Sequence, residues 1–174
     1  MIIKTVLAAL LLFTGLAGAA EAPYRLGSGD VLKVSVFGEP DLSFDEIRLN
    51  DSGTFSYPFI GSVDARGKTP SEVEQVISTK LRDGYLVSPR VAVSVVTYRD
   101  FFISGEVKNP GGYPFEPGLT LDRAIARAGG LTERGSEKRV TIIRGSDAKR
   151  GVEKATLDTE VHPGDAITIN QGFF

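Results

Sequence analysis

Two stretches at opposite ends of the chain share one pattern. Gly29-Asp30-Val31-Leu32-Lys33-Val34 and Gly164-Asp165-Ala166-Ile167-Thr168-Ile169 each place a Gly-Asp turn directly before an alternating run. Glycine gives a turn its backbone freedom, and aspartate can accept the turn's own amide hydrogens. Apolar residues at every second position then predict a strand with one buried face. A strand launched this way in each half, with one helix signal per half, predicts two small α+β modules, each with one helix covering a short sheet.

The first half begins at Gly27-Ser28-Gly29-Asp30 and the strand of Leu32, Val34 and Val36. Residues 38–54 are polar, with Asp51-Ser52-Gly53 read as a hairpin turn, and Phe55, Tyr57 and Phe59 alternate beyond it. Thr69, Pro70 and Glu72 have the spacing of a capping box with proline at the first helical position. Val73, Val76, Ile77 and Leu81 give that helix one apolar face, and Gly84 stands where it should end. Residues 91–96 are a β-branched strand.

The chain divides near residues 98–101, and the second half repeats the plan. Residues 102–107 predict a strand, and Pro110-Gly111 suits a type II turn with φ positive at glycine. Thr120 is the expected cap of a helix carrying Leu121, Ala124, Ile125 and Ala128, ended by Gly129-Gly130 in left-handed geometry. Strands follow at 140–143 and, after Pro163-Gly164-Asp165, at 166–169.

The first residues form a leader. Lys4 is a positive start, Val6 to Leu16 a short apolar stretch, and Ala17-Gly18-Ala19 a small-residue cleavage site. The apolar run is shorter than the roughly 20 residues of a membrane-spanning helix. Without residues 1–19 the chain keeps 19 bases against 22 acids, which gives no basic footprint for nucleic acid. There is no cysteine, so neither a disulfide framework nor a lipid-carrying cysteine is expected.

These segments together resemble the polysaccharide biosynthesis/export family. In the first half the resemblance rests on residues 24–32, 38–42, 51–54, 58–61 and 67–72. In the second it rests on Ile103 to Gly111, residues 121–125, Ala128-Gly129-Gly130-Leu131 and Pro163-Gly164-Asp165. It implies an α+β fold of two small modules. Residues 20–99 would be an export domain (a mixed sheet with one covering helix) and residues 100–174 a soluble-ligand-binding β-grasp module. Its structural motif positions here are Gly27, Gly29, Asp30, Gly105, Pro110, Gly111, Gly129, Gly130, Pro163, Gly164 and Asp165. It also implies a function without catalysis or cofactor. The protein would be a ring-forming subunit of a capsular or exopolysaccharide channel and a passive conduit for polymer. Its partners would be itself, an inner-membrane polysaccharide copolymerase, a separate outer-membrane protein and the polysaccharide in transit. The alternative is a monomeric periplasmic carbohydrate-binding or adaptor protein of the same system.

Other readings are weaker. Glu39, Asp41, Asp45 and Glu46 are carboxylates of the kind glycoside cleavage uses, but they sit in a solvated loop. His162 is the one histidine, too few nitrogen or sulfur ligands for zinc. There is no tryptophan, and Tyr57, Tyr85, Tyr98 and Tyr113 are scattered rather than gathered as a sugar platform. Residues 21–64 hold eight acids and three bases, and residues 133–154 seven bases and four acids, which suits complementary faces in a head-to-tail ring. Arg144, Lys149 and Arg150 are the bases expected to matter there. From Asp165 to Phe174 the chain is too short for a helix across a ~30 Å hydrocarbon core. A periplasmic ring docked on an outer-membrane partner is therefore expected, with Phe173 and Phe174 packed or plugging that junction.

Export predicts cleavage after Ala19. N-terminal sequencing of periplasmic material should begin at Ala20, and an intact Met1 terminus recovered from membranes would overturn the leader.

Overall fold

The computed structural model describes residues 23–146, 149 and 151–172. The expected leader, Arg150 and the Phe173-Phe174 end lie outside the described residues. In the first module, β1 (Val31–Val36) is central, flanked by β2 (Phe44–Arg48) and β5 (Val91–Thr97) in the order β2-β1-β5. Both ladders are antiparallel, so this sheet is not the mixed one expected. A separate hairpin pairs β3 (Thr54–Tyr57) with β4 (Gly61–Asp64), and α1 (Pro70–Arg82) runs between β4 and β5.

α1 forms as its sequence dictates. The Thr69 side chain accepts the Glu72 amide, and the Glu72 carboxylate accepts the Thr69 amide at 2.7 Å. Val73, Ile77 and Leu81 fall on one face and are fully buried, each worth about 1.5–3 kcal/mol against exposure. They close a core with Leu32, Val34, Leu49, Phe55, Tyr57 and Val63.

The second module is a five-stranded sheet in the order β7-β6-β10-β8-β9. Its strands are β6 (Phe101–Gly105), β7 (Gly111–Tyr113), β8 (Gly135–Ile143), β9 (Val152–Ala155) and β10 (Ala166–Gln171). This sheet is mixed, with β10 parallel to β6 and antiparallel to β8. Helix α2 (Leu121–Arg127) covers it through Leu121, Ala124 and Ile125. The second core joins those residues to Phe101, Ile103, Val140, Ile142, Ile167 and Ile169.

Four local expectations are corrected. Thr120 does not cap α2 with its side chain; its hydroxyl bonds Asp122 instead. The first amides of α2 are taken by the carbonyls of Thr159 and Leu157, at 2.9 and 3.0 Å. Gly111 is not at positive φ, because it already lies in β7 opposite Ile103. The reversal before it begins at Gly105, at φ +81°, with the Val107 amide on the Gly105 carbonyl. The Asp51-Ser52-Gly53 turn is not a hairpin, since β2 and β3 lie in different sheets. Phe59 is not a strand residue: it sits at the β3–β4 turn, two-thirds exposed, at φ +64°.

Gly129 and Gly130 do end α2 in left-handed geometry, at φ +80° and +86°. A β-carbon on Gly129 would also fall 2.5 Å from the side-chain Nδ2 of Asn109. Valine there costs about 1–3 kcal/mol in backbone strain. Among the described residues, no helix is long and apolar enough to cross a membrane.

Tyr57 gives the fold an alkaline limit. Its buried hydroxyl donates to the Leu42 carbonyl, and burial raises its pKa from 10.0 to about 12. The unfolded chain ionises first, so stability present below pH 10 is lost as pH rises toward 12. Denaturant unfolding at about pH 8 and about pH 11 should show this loss, and Tyr57→Phe should lose less between the two. Equal losses in both proteins would overturn the assignment.

Candidate functional site

Asp30 and Asp165 are the two buried charged residues among those described, and each is the hub of a turn. In the first turn the Asp30 amide donates to the Gly27 carbonyl, at 3.3 Å, and the Asp30 carboxylate accepts the Gly27 amide at 2.8 Å. The carboxylate also accepts the Tyr24 hydroxyl at 2.7 Å, the Arg99 amide at 2.9 Å and the Arg99 guanidinium at 3.2 Å. Burial and the Asp30 carboxylate, in that order, push the Tyr24 hydroxyl well above the usual tyrosine range, so it stays a donor.

The second turn repeats the arrangement. The Asp165 carboxylate accepts the His162 amide at 2.8 Å, the Gly145 amide at 2.9 Å and the Arg144 guanidinium at 2.8 Å. In both modules the aspartate immediately precedes the central strand, β1 or β10. The arginine follows the antiparallel partner strand, β5 or β8. The sequence echo thus has a structural counterpart. Each carboxylate ties the start of one strand to the end of its neighbour.

Arg99 joins the two turns. Its guanidinium lies against both Gly27 and Gly164: β-carbons there would fall 2.4 and 2.7 Å from it. Around it the Gly164 amide donates to the Asp100 carbonyl at 3.1 Å, and the Phe102 amide to the Asp165 carbonyl at 2.8 Å. Tyr98 meets Tyr24 edge-on at 5.0 Å and Phe115 edge-on at 5.4 Å. A cleft of about 390 Å³ opens beside this aromatic row, reaching Leu119, Glu160 and His162. The arrangement clamps two modules together.

The other motif positions serve the turns. Gly29 and Gly164 have φ of +89° and +83°, and Pro163 lies in the second Asp turn and on the cleft rim. Pro110 leads into β7 and Gly111 is its first residue, while the neighbouring Lys108 and Asn109 amides donate to the carbonyls of Gly130 and Ala128, which end α2. Of the four carboxylates weighed for glycoside cleavage, Glu39 and Asp41 lie at the short helical turn Pro40–Leu42, and Asp45 and Glu46 lie in β2 rather than in a loop. Asp45 pairs with Lys33 at 2.6 Å, and that bond holds its carboxyl below the usual range, unlike a general acid. Among the described residues, no group of three histidine, cysteine or acidic side chains is placed to hold a metal. His162 contacts Arg144 through Nδ1 at 3.0 Å.

Sequence reasoning missed Arg99 and the structural role of Arg144. The available signal was positional: both follow a strand that pairs with a Gly-Asp strand. It also missed the gathering of Tyr24, Tyr98 and Phe115, which are distant in the chain.

Residues 18–96 match the family described as polysaccharide biosynthesis/export protein, and residues 101–153 match the SLBB domain. The chain is 36% identical to the exopolysaccharide production protein ExoF of Rhizobium meliloti, over 74% of this chain and 33% of that protein. It is 30% identical to the EPS I polysaccharide export outer membrane protein EpsA of Ralstonia nicotianae, over 88% of this chain and 49% of that protein. It is 26% identical to the polysialic acid transport protein KpsD of Escherichia coli, over 74% of this chain and 24% of that protein. The chain therefore spans about half or less of the length of these curated relatives.

Arg99→Ala should uncouple the modules. Asp30 would lose its ion-pair partner while fully buried, at a cost of about 3 kcal/mol, the low end for a broken buried pair because Arg99 is partly solvated. Calorimetry should show one transition in the parent and two, or one broadened, in Arg99→Ala, with Arg99→Lys between them. A sharp, unshifted transition in Arg99→Ala would overturn the clamp.

Proposed function

Because this chain belongs to the polysaccharide biosynthesis/export family, we propose that it is a non-catalytic subunit of a polysaccharide export conduit. The observation that carries the reading is the order of matches along one chain, an export domain at residues 18–96 followed directly by an SLBB domain at 101–153. In this reading residues 20–99 and 100–174 are the two working modules. Copies close into a periplasmic ring that hands polymer from an inner-membrane copolymerase to an outer-membrane protein. The clamp at Arg99 supports it, because a ring subunit must hold its modules at a fixed angle for successive copies to meet.

The exposed apolar side chains support self-association. Phe59 and Tyr85 touch at 5.4 Å between ring centres, and Val87, nearby in sequence, is almost wholly exposed. Phe37 and Val152 are further large apolar groups in solvent. Arg144 is a poor probe of the ring. It is mostly buried and holds Asp165, so its reversal would damage the module before any interface.

Deleting the gene should block surface polysaccharide, and the mature protein should behave as a homo-oligomer by light scattering. Phe59→Ser with Val87→Ser should remove about 3 kcal/mol of contact and raise the dissociation constant roughly a hundredfold. A strictly monomeric protein, with and without its membrane partners, would overturn the ring. Unaltered polysaccharide in the deletion would overturn the export role.

A further inference from the structure

A cleft of about 640 Å³ beside α1 is lined by Arg25, Arg66, Lys68 and Lys80, with Glu72 the one carboxylate in its wall. This concentration of cations stands out in a chain whose net charge is −2. Lys68 pairs with Asp64 at 3.1 Å, and Arg25 lies 3.8 Å from Glu72. Among the described residues Arg66 and Lys80 make no ion pair. Their heads rest on neutral carbonyls, Arg66 on Asp51 and Lys80 on Ser62 at 3.2 Å. Arg25 is likewise pinned, to the Gly67 carbonyl at 2.7 Å. Cations held by carbonyls are oriented in advance and keep their charge for a ligand.

The rest of the wall narrows the ligand class. Gln75 and Thr79 offer amide and hydroxyl groups, Val76 a small apolar surface, and no aromatic ring lines the cleft. Without a stacking platform it is poorly suited to nucleobases. Glu72 would repel a dense polyanion but can accept hydrogen bonds from sugar hydroxyls. The match is a polymer with one carboxylate on each hydroxyl-bearing ring. We propose that this cleft binds carboxylate-bearing sugar units of an anionic polysaccharide; the inference rests on the export role above and names the class of polymer carried.

The test titrates purified mature protein with an oligogalacturonate hexamer, and with maltohexaose as the neutral probe. The oligogalacturonate should bind, should weaken as salt rises from about 50 to about 300 mM, and should outcompete the neutral sugar. Arg66→Gln with Lys80→Gln should weaken it roughly tenfold, the worth of two exposed charge contacts. Lys80→Gln alone, which leaves the Asp51 turn intact, should give part of that loss. Equal binding of both sugars, no binding, or an unaffected double variant that melts like the parent would overturn the cleft assignment. So would binding to phosphatidylglycerol vesicles, lost in the double variant, without oligogalacturonate binding. These readouts use purified components alone, so a negative result leaves the gene-deletion test of export standing, and an export failure leaves the cleft result readable.

Discussion

The Asp30 carboxylate organises the molecule because it is buried completely and therefore needs every partner it has. A carboxylate out of water is tolerated only when its lone pairs are filled and its charge is met. Gly27 and Tyr24 fill it from one side of the chain, and Arg99 from the other through both amide and guanidinium. Those requirements fix where β1 begins, where β5 ends and which way the chain leaves the first module. The Arg99 head then leaves no room for a β-carbon at Gly27 or Gly164. One buried charge thus dictates a turn, a strand register, an arginine and two glycines, the last of them in the other module.

Asp165 solves the same problem with Arg144 and Gly145. The two sheets differ in size and in strand direction, yet each anchors its central strand by an aspartate bonded across to the exit of the antiparallel neighbour. The rule belongs to a local packing problem. A central strand starting from a turn leaves amides that water cannot reach, and a carboxylate one residue earlier can take several at once. A repeated local solution of this kind leaves only a six-residue trace in sequence, since the partners lie on different strands.

The parts of the fold legible in the sequence were those decided by nearby residues. The capping box of Thr69 and Glu72, the glycine stop of α2 and the alternation in β1 and β10 all depend on spacings of a few positions. Elements decided by distant partners were not legible. β2 reads Phe-Asp-Glu-Ile-Arg and exposes most of its length at a sheet edge, so its pattern carries no periodic signal. Thr120 looked like a cap, but the carbonyls of Leu157 and Thr159 reach the helix amides first. Phe59 continued an alternation that the chain had already abandoned for a turn. At the junction, Tyr24, Tyr98 and Phe115 are too far apart in sequence for any window to unite them.

Charge shows the same limit most sharply. Counted along the chain, residues 21–64 are acidic and residues 133–154 basic, which suggests two opposed faces. Folding removes much of that contrast. Asp30 is internal, Asp45 and Asp64 are neutralised by Lys33 and Lys68, and Arg144 is committed to Asp165 and Glu153. Among the described residues, positive charge left without an ion pair instead collects beside α1, on Arg66 and Lys80. Screening over about 10 Å makes such a cluster matter more to a ligand than any count over a segment. Fields are set by which charges are left unpaired after packing, so an acidic chain can present a cationic cleft.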